Sequence, residues 1–474
     1  MTNKIELVQI ESDHKDVNHF NPDDNVIARE KIQVKATDGF HSKIRKLVAG
    51  LGFLAFFGCA WMQWDGHQAV LWDLTNRQFL IFGLTMWPQD LYLLSFTLMI
   101  SAFGLFAVTA FAGRVWCGYA CPQSTWSWVF MWLEAQIEGD RNARRKLDKA
   151  DISGHKVFLK LIKHLSWVAV AFITALTFVG YFTPIRELTV DLFTFEASWG
   201  ATSWVFILSA LTYLNAGWLR EQVCIYMCPY ARFQSVMFDK DTQVVTYDVE
   251  RGEPRSAKRK HVQSADQKPG DCVDCTLCVQ VCPTGIDIRQ GLQYECISCG
   301  KCIDACNTVM DKLGFDRGLI RYTSEHALKH KEPSKIHGRL LGYTAVMSVF
   351  VGALLYGVMT LSTVDLEVDR GRGANLFREN YRGDIINSYN LRVMNKTQET
   401  KAYQLSVEGV DVESLEGVTT LELMPGEISQ LPMAITVRPE HLSQRVTPIE
   451  FVVWEIESPD QRETVESRFI APIR

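Results

Sequence analysis

The sequence predicts a polytopic α-helical membrane protein with five transmembrane helices, a compact cysteine-rich insert before the last of them, and a C-terminal β-sandwich. Three observations carry this reading. Five long runs are almost free of charge, eight of the thirteen cysteines stand in one doubled spacing, and the tail after Ser362 alternates apolar with polar side chains. A chain of 474 residues exceeds one ordinary core, so several structural units are expected. A net charge of -5 gives no footprint for nucleic acid.

Residues 1–45 form a polar segment. After it come the apolar runs Leu47–Trp64, Leu91–Ala112, Leu165–Thr183, Thr202–Leu219 and Leu340–Ser362, each near the ~20 residues that a helix needs to cross a hydrocarbon core. The first is read as a retained span, because a long polar leader precedes it and no small-residue cleavage pattern closes it. Trp61, Trp64, Trp87, Trp199, Trp204 and Trp218 flank these runs as interfacial anchors. Residues 46–230 thus make a four-helix membrane region and 340–362 a fifth helix. The apolar run Phe79–Met86 is too brief to span, and sequence alone gives it no role.

Orientation follows from basic loops, which resist translocation. Arg141, Arg144, Arg145, Lys146, Lys149, Lys156, Lys160 and Lys163 follow the second span, whereas the loops after the first and third spans hold only Arg77 and Arg186. The amino terminus and the insert are therefore expected in the cytoplasm, and the tail outside.

The insert, residues 231–335, carries Cys272-x-x-Cys275-x-x-Cys278-x-x-x-Cys282-Pro283 and then Cys296-x-x-Cys299-x-x-Cys302-x-x-x-Cys306. Three closely spaced thiolates wrap one cubane, and the fourth of each run reaches the other. The expected ligand sets are Cys272, Cys275, Cys278 and Cys306 for one [4Fe–4S] cluster, and Cys296, Cys299, Cys302 and Cys282 for the second, in a ferredoxin-like domain. Disulfides or paired zinc sites explain neither the third cysteine at the same interval nor the fourth after three residues, twice over. The second run ends on Asn307 where a ferredoxin prefers proline. The basic stretch Arg251, Arg255, Lys258, Arg259 and Lys260 suits anionic membrane lipid.

Two further pairs have the form Cys-x-Tyr-x-Cys-Pro, Cys117 with Cys121 and Cys224 with Cys228. If the preceding helices persist through them, residues four apart share one face and the thiols point together. Soft thiolates in that arrangement favour Cu(I), and zinc or another iron–sulfur centre is also within their chemistry; copper is the preferred reading. Met227 could add a thioether, although packing explains it as well, and Cys59 reads as an apolar filler. Histidines are not placed to hold a b-type haem in the bundle, and no glycine-rich dinucleotide fingerprint follows a strand.

The tail, residues 363–474, contains no cysteine, which suits an oxidising compartment. Tyr389, Leu391, Val393; Tyr403, Leu405, Val407; Ile435, Val437; and Ile449, Phe451, Val453 recur with period two, as in an immunoglobulin-like sandwich. Nothing in it reads as catalytic. The sequon Asn395-Lys396-Thr397 is read as a coincidence.

Cys117-x-x-x-Cys121-Pro122, Cys224-x-Tyr226-x-Cys228-Pro229-Tyr230-x-Arg232, the run from Gly270 to Lys312 and the segment Arg317–Tyr322 together resemble the cytochrome c oxidase accessory protein family, also called CcoG, FixG or RdxA. The resemblance covers most of the chain beyond its first forty or so residues. It implies a bacterial inner-membrane protein that matures a cbb-type oxidase by reducing Cu(II) to Cu(I). The implied partners are oxidase subunits or copper chaperones and transporters, with an unidentified electron donor; a homo-oligomer stays open. Two rival readings are a quinol-oxidising subunit serving a separate reductase, with a quinone pocket near Trp87, and a non-enzymatic assembly scaffold.

Overall fold

The computed structural model describes residues 32–64, 66–255, 270–330, 338–370, 377–442 and 444–472. Most of the polar segment 1–45, and Lys258, Arg259 and Lys260 of the basic stretch, lie outside the described residues. Four helices among the described residues are long and apolar enough to cross a membrane: Phe40–Trp61, Pro88–Ala112, Gly154–Val179 and Gly338–Met359. The chain is a membrane protein.

Helix α1 is Phe40–Trp61, and α2 is Leu91–Ala112. A Gly113 at φ 57° ends α2, because a left-handed residue cannot continue a right-handed helix. The chain then makes the short α3 (Val115–Tyr119), α4 (Pro122–Glu138), α5 (Arg141–Lys149), α6 (Gly154–Val179) and α7 (Ile185–Thr194). The fourth expected span differs from a plain α-helix. A 14-residue α8 (Trp199–Thr212) runs directly into a seven-residue π-helical segment, Tyr213–Leu219. After a second π-helical turn, Val223–Met227, comes α9 (Pro229–Met237).

Trp61, Trp64, Trp199, Trp204 and Trp218 are exposed, as lipid-interface anchors should be. Trp87 is not. It is buried where Gly426 of the tail packs over its ring, since a Cβ at Gly426 would stand 3.3 Å from the indole. Beside it the buried Asp90 pairs with Lys396 at 2.8 Å, so the tail is clamped to the start of α2. Phe79–Met86 falls in the strands Gln78–Ile81 and Leu84–Met86, which with Val70–Asp73 make a three-stranded antiparallel sheet that has Gln78–Ile81 at its centre.

The tail is a sandwich of two antiparallel sheets. One orders Ser414–Glu416, Ile428–Val437, Ile385–Asn395 and Val364–Arg370, with Arg378–Glu379 also on Ile385–Asn395; the other orders Thr420–Leu423, Lys401–Glu408, Val446–Glu455 and Ser458–Ile470. Tyr389, Leu391, Val393, Tyr403, Leu405, Ile435, Val437, Ile449, Phe451 and Val453 are all buried in its core, and Val407 packs against it. Asn395 is fully buried. Its Nδ2 donates to the carbonyls of Glu399 and Leu423 at 2.8 and 3.0 Å, and Oδ1 accepts from Tyr403 at 2.9 Å, which leaves no room for a glycan. Asn395→Ala strands these groups and should cost about 1–3 kcal/mol, read as a lower melting temperature of the full-length protein.

Candidate functional site

The two cysteine runs fold around the helix Lys301–Leu313 and the antiparallel pair Val244–Tyr247 and Ile320–Thr323. Cys278 belongs to a core with Val245, Tyr247, Ile288, Ile303, Met310, Leu319 and Ile320. Asp274 and Thr276 in the first run, and Ser298 and Gly300 in the second, adopt positive φ between 47° and 70°. Those left-handed steps curl successive residues inward, so neighbouring thiols face one centre.

Cys272, Cys275, Cys278 and Cys306 line one cavity, floored by Met310 and Leu319. Burial first, and then Cys278, Cys272 and Cys275 beside it, push the Cys306 thiol up to about 12. Cys306, the last cysteine of the second run, therefore stands with the first three of the other run. Cys296 is likewise pushed up to about 12, first by burial and then by Cys299 and Cys282 at its side. Cys302 feels Cys299, Cys296 and Cys282 most, and Cys278 after them. The structure thus brings Cys306 beside Cys272, Cys275 and Cys278, and Cys282 beside Cys296, Cys299 and Cys302. Thiols so raised are protonated at neutral pH unless a cationic centre compensates them, which fits metal-sulfide cofactors. Among the described residues no three His, Cys, Asp or Glu side chains stand close enough for a single ion.

The helices do not persist through the Cys-x-Tyr-x-Cys-Pro motifs. Cys117 lies on α3, whereas Cys121 is the N-cap of α4; Cys224 lies on the π-helical turn and Cys228 caps α9. The cause is Pro122 and Pro229, which start helices well but force the preceding residue extended, at ψ 128° for Cys121 and 112° for Cys228. The four thiols still converge. Cys224 is within electrostatic reach of Cys121, Cys117 and Cys228, and Cys117 of Cys121 and Cys228.

This four-thiol site abuts the second cysteine run. A Cβ on Gly118 would stand 2.7 Å from the Ile297 carbonyl oxygen and 2.8 Å from Cys299 Cα. Tyr322 donates to the Ser298 carbonyl and sits 3.3 Å from Tyr119 Oη, which shares a 2.8 Å hydrogen bond with His41 Nδ1. Arg114, buried, donates to the carbonyls of Tyr294 and Ala231, and its charge acts on both Cys117 and Cys296. Asp304, between Cys302 and Cys306, accepts from the His41 and Ser42 backbone N–H groups at 3.1 and 2.8 Å and so caps α1. Sequence reading passed over Gly118, Arg114, His41 and Asp304. One signal was present, since Arg114 is the only charged residue between Asp90 and Glu134.

Residues 219–325 match the family model of a 4Fe–4S dicluster domain, residues 94–133 that of a 4Fe–4S binding domain, and residues 354–472 that of the IG-like fold at the C-terminal of FixG. The chain is 35% identical to nitrogen fixation protein FixG of Rhizobium meliloti across 94% of its own length and 93% of that protein. It is 40% identical to protein RdxA of Cereibacter sphaeroides across 74% of its own length and 76% of the relative. A crystal structure of a FixG-related protein from Vibrio parahaemolyticus covers 24% of this chain and 100% of that one, at 32% identity and a TM-score of 0.22. By the FixG likeness along nearly its whole length, and by the iron–sulfur and IG-like domains it matches, the chain belongs to the FixG/RdxA family and is a membrane-bound iron–sulfur electron-transfer protein.

Proposed function

We propose that this protein passes electrons from two [4Fe–4S] clusters to the four-thiol site, where Cu(II) is reduced to Cu(I) for the copper centre of a cbb-type oxidase. Cys272, Cys275, Cys278 and Cys306 hold one cluster; Cys296, Cys299, Cys302 and Cys282 hold the other. When bound, each supplies one electron at a time. The observation that carries the reading is the close approach of the Gly118 backbone to the backbone of Ile297, Ser298 and Cys299, which sets the two cysteine systems side by side. Arg114 favours added negative charge on both sides of that contact. Cys117, Cys121, Cys224 and Cys228 prefer the softer Cu(I), which makes reduction of the bound ion downhill.

The membrane is a bacterial inner membrane crossed five times, counting α8 with its π-helical continuation. The cysteine-rich insert then faces the cytoplasm and the sandwich the other side. The partners are oxidase subunits or copper chaperones that collect the Cu(I). Changing Cys117, Cys121, Cys224 and Cys228 together to Ser should abolish Cu(I) formation, followed with a chromogenic Cu(I) chelator, without loss of iron or labile sulfide from the insert. Undiminished copper reduction would defeat the reading.

A second reading has its own support. The two 4Fe–4S domain matches include Cys117, Cys121, Cys224 and Cys228, and no three of these stand at single-ion distance among the described residues. A third cubane there would relay electrons onward instead of binding copper. Iron and sulfide content separates the two, because the quadruple Ser variant then loses one cubane's worth of each.

A further inference from the structure

The donor side has a site of its own. Where α6, the π-helical segment Tyr213–Leu219 and Arg220 meet, a cavity is lined by His164, Trp167, Tyr213, Trp218, Arg220 and Glu221 among others. It lies at the level where α6 passes from Lys156, Lys160 and Lys163 into its apolar run, so it sits at a membrane interface. Trp218 is 68% exposed and forms its outer wall; Trp167 is buried and forms the inner one. Tyr213 Oη and His164 Nδ1 share a 2.8 Å hydrogen bond.

Arg220 is the unusual residue. It is only 4% exposed, its Nη2 donates to Glu134 at 2.8 Å and its Nε to the Gly217 carbonyl at 2.8 Å, while Nη1 is buried with no hydrogen-bond partner among the described residues. A buried donor without a partner is costly, and this one belongs to a cavity wall. Its backbone holds φ 48°, a strained setting for a non-glycine residue directly after a π-helical turn; both features gather at functional sites. The cavity also touches the four-thiol site, which in turn abuts the second cysteine run at Gly118 and Cys299. Gln123 Nε2 donates to the carbonyls of Asn215 and Arg220 at 2.9 and 3.2 Å, tying the wall to the start of α4 beside Cys121, and Glu221 acts electrostatically on Cys224.

From these observations we infer that the cavity binds a membrane quinol, the two-electron donor of this protein. This rests on the electron-transfer reading above. A quinol is a flat ring with a polar group at each end, and it reaches the protein from the bilayer. Aromatic walls at Trp167 and Trp218 suit the ring, the Arg220 Nη1 donor suits one oxygen, and the Tyr213–His164 pair suits the other. A phospholipid headgroup is the poorer fit, because the charges of the lining cations are neutralised, Lys163 by Glu138 at 2.9 Å and Arg220 by Glu134, which leaves Nη1 as a hydrogen-bond donor without net charge for a phosphate. In the reaction the quinol is oxidised to quinone. Two electrons leave singly for the two one-electron [4Fe–4S] acceptors, and the two hydroxyl protons leave to His164 and Glu221.

The pocket expected near Trp87 does not serve this role. That cavity, with Leu84, Leu94 and Leu354, lies at the sandwich end of α2, and the 22 residues of α2 put roughly 33 Å between it and the cysteines.

The test uses full-length protein in nanodiscs of phosphatidylcholine and phosphatidylglycerol, under anaerobic conditions. Decylubiquinol and menadiol are each mixed with oxidised protein and cluster bleaching is followed; separately, an azidoquinone is photo-crosslinked and its peptide mapped. At least one quinol should bleach the clusters, and the label should fall within residues 163–167 or 213–221. Tyr213→Phe should weaken azidoquinone labelling by roughly tenfold, the worth of one hydrogen bond. The Tyr213→Phe variant, once reduced with dithionite, should still reduce Cu(II) at the wild-type rate. Labelling elsewhere, labelling abolished by added phosphatidylglycerol, or no bleaching by either quinol would overturn the inference. If dithionite-reduced wild-type protein itself fails to reduce copper, the fault lies with the proposed function instead.

Discussion

Valine at position 118 should slow electron delivery to the four-thiol site by about a hundredfold while both iron–sulfur clusters keep their absorbance. The reason is local. The added Cβ would lie 2.7–2.9 Å from the Ile297 carbonyl, Cys299 Cα and the Ser298 carbonyl, all backbone atoms that cannot rotate away. Overpacking of this kind costs ~1–3 kcal/mol and is relieved by moving one segment off the other. A displacement near 1 Å between reacting partners is commonly worth on the order of 100-fold in rate. Stopped-flow mixing of dithionite-reduced protein with Cu(II) measures it. A Gly118→Val protein that transfers at the wild-type rate would show that the contact plays no part in the relay.

The second large effect is on stability. Glu134, fully buried, receives Arg220 at 2.8 Å and both Arg144 and Lys163 at 3.6 Å, while Glu138 receives Lys163 at 2.9 Å and Lys160 at 3.0 Å. Glu134→Gln keeps the shape and removes the charge that faces three cations. Breaking a buried pair by deleting one partner leaves uncompensated charge and costs about 3–5 kcal/mol. Denaturation in detergent micelles should register most of that loss, together with lower iron content at a given temperature. Glu325→Gln, which breaks an exposed i,i+4 pair with Lys329, should change almost nothing. Equal effects from the two substitutions would contradict the assignment of Glu134 as the hub.

Glu134 also shows where sequence reading stops. Its position on the amphipathic end of α4 is legible, but the partners that make it essential come from α5, α6 and the turn after the π-helical segment. The basic residues after the second span were read only as an orientation signal. Arg144 and Lys163 are buried ion-pair partners as well, so the same charges serve the fold. Cysteine spacing was far more informative, because a cubane fixes both the intervals and the exchange of the fourth ligand. The alternation in the tail was equally direct, since every side chain of a strand is assigned a face by its position alone.

The Cys-x-Tyr-x-Cys-Pro motifs were read for their thiols and misread for their backbone. Proline after the second cysteine was the available signal that a new helix starts there. What no periodicity could give is the meeting of Gly118 with Cys299, residues far apart in the chain whose closeness depends on how the insert docks under α1 and α3. The π-helical continuation of α8 was hidden for a similar reason: composition marks Thr202–Leu219 as apolar without saying how it is wound.

The most direct measurement is a single turnover. Protein whose clusters are reduced chemically, with excess reductant removed, is mixed anaerobically with Cu(II), and cluster absorbance and chelated Cu(I) are recorded together. Cluster oxidation and Cu(I) appearance should share one rate, with one Cu(I) formed for each cluster oxidised. Clusters that stay reduced while Cu(I) forms, or that reoxidise equally fast in the quadruple Ser variant, would contradict electron passage from the clusters to the four thiols.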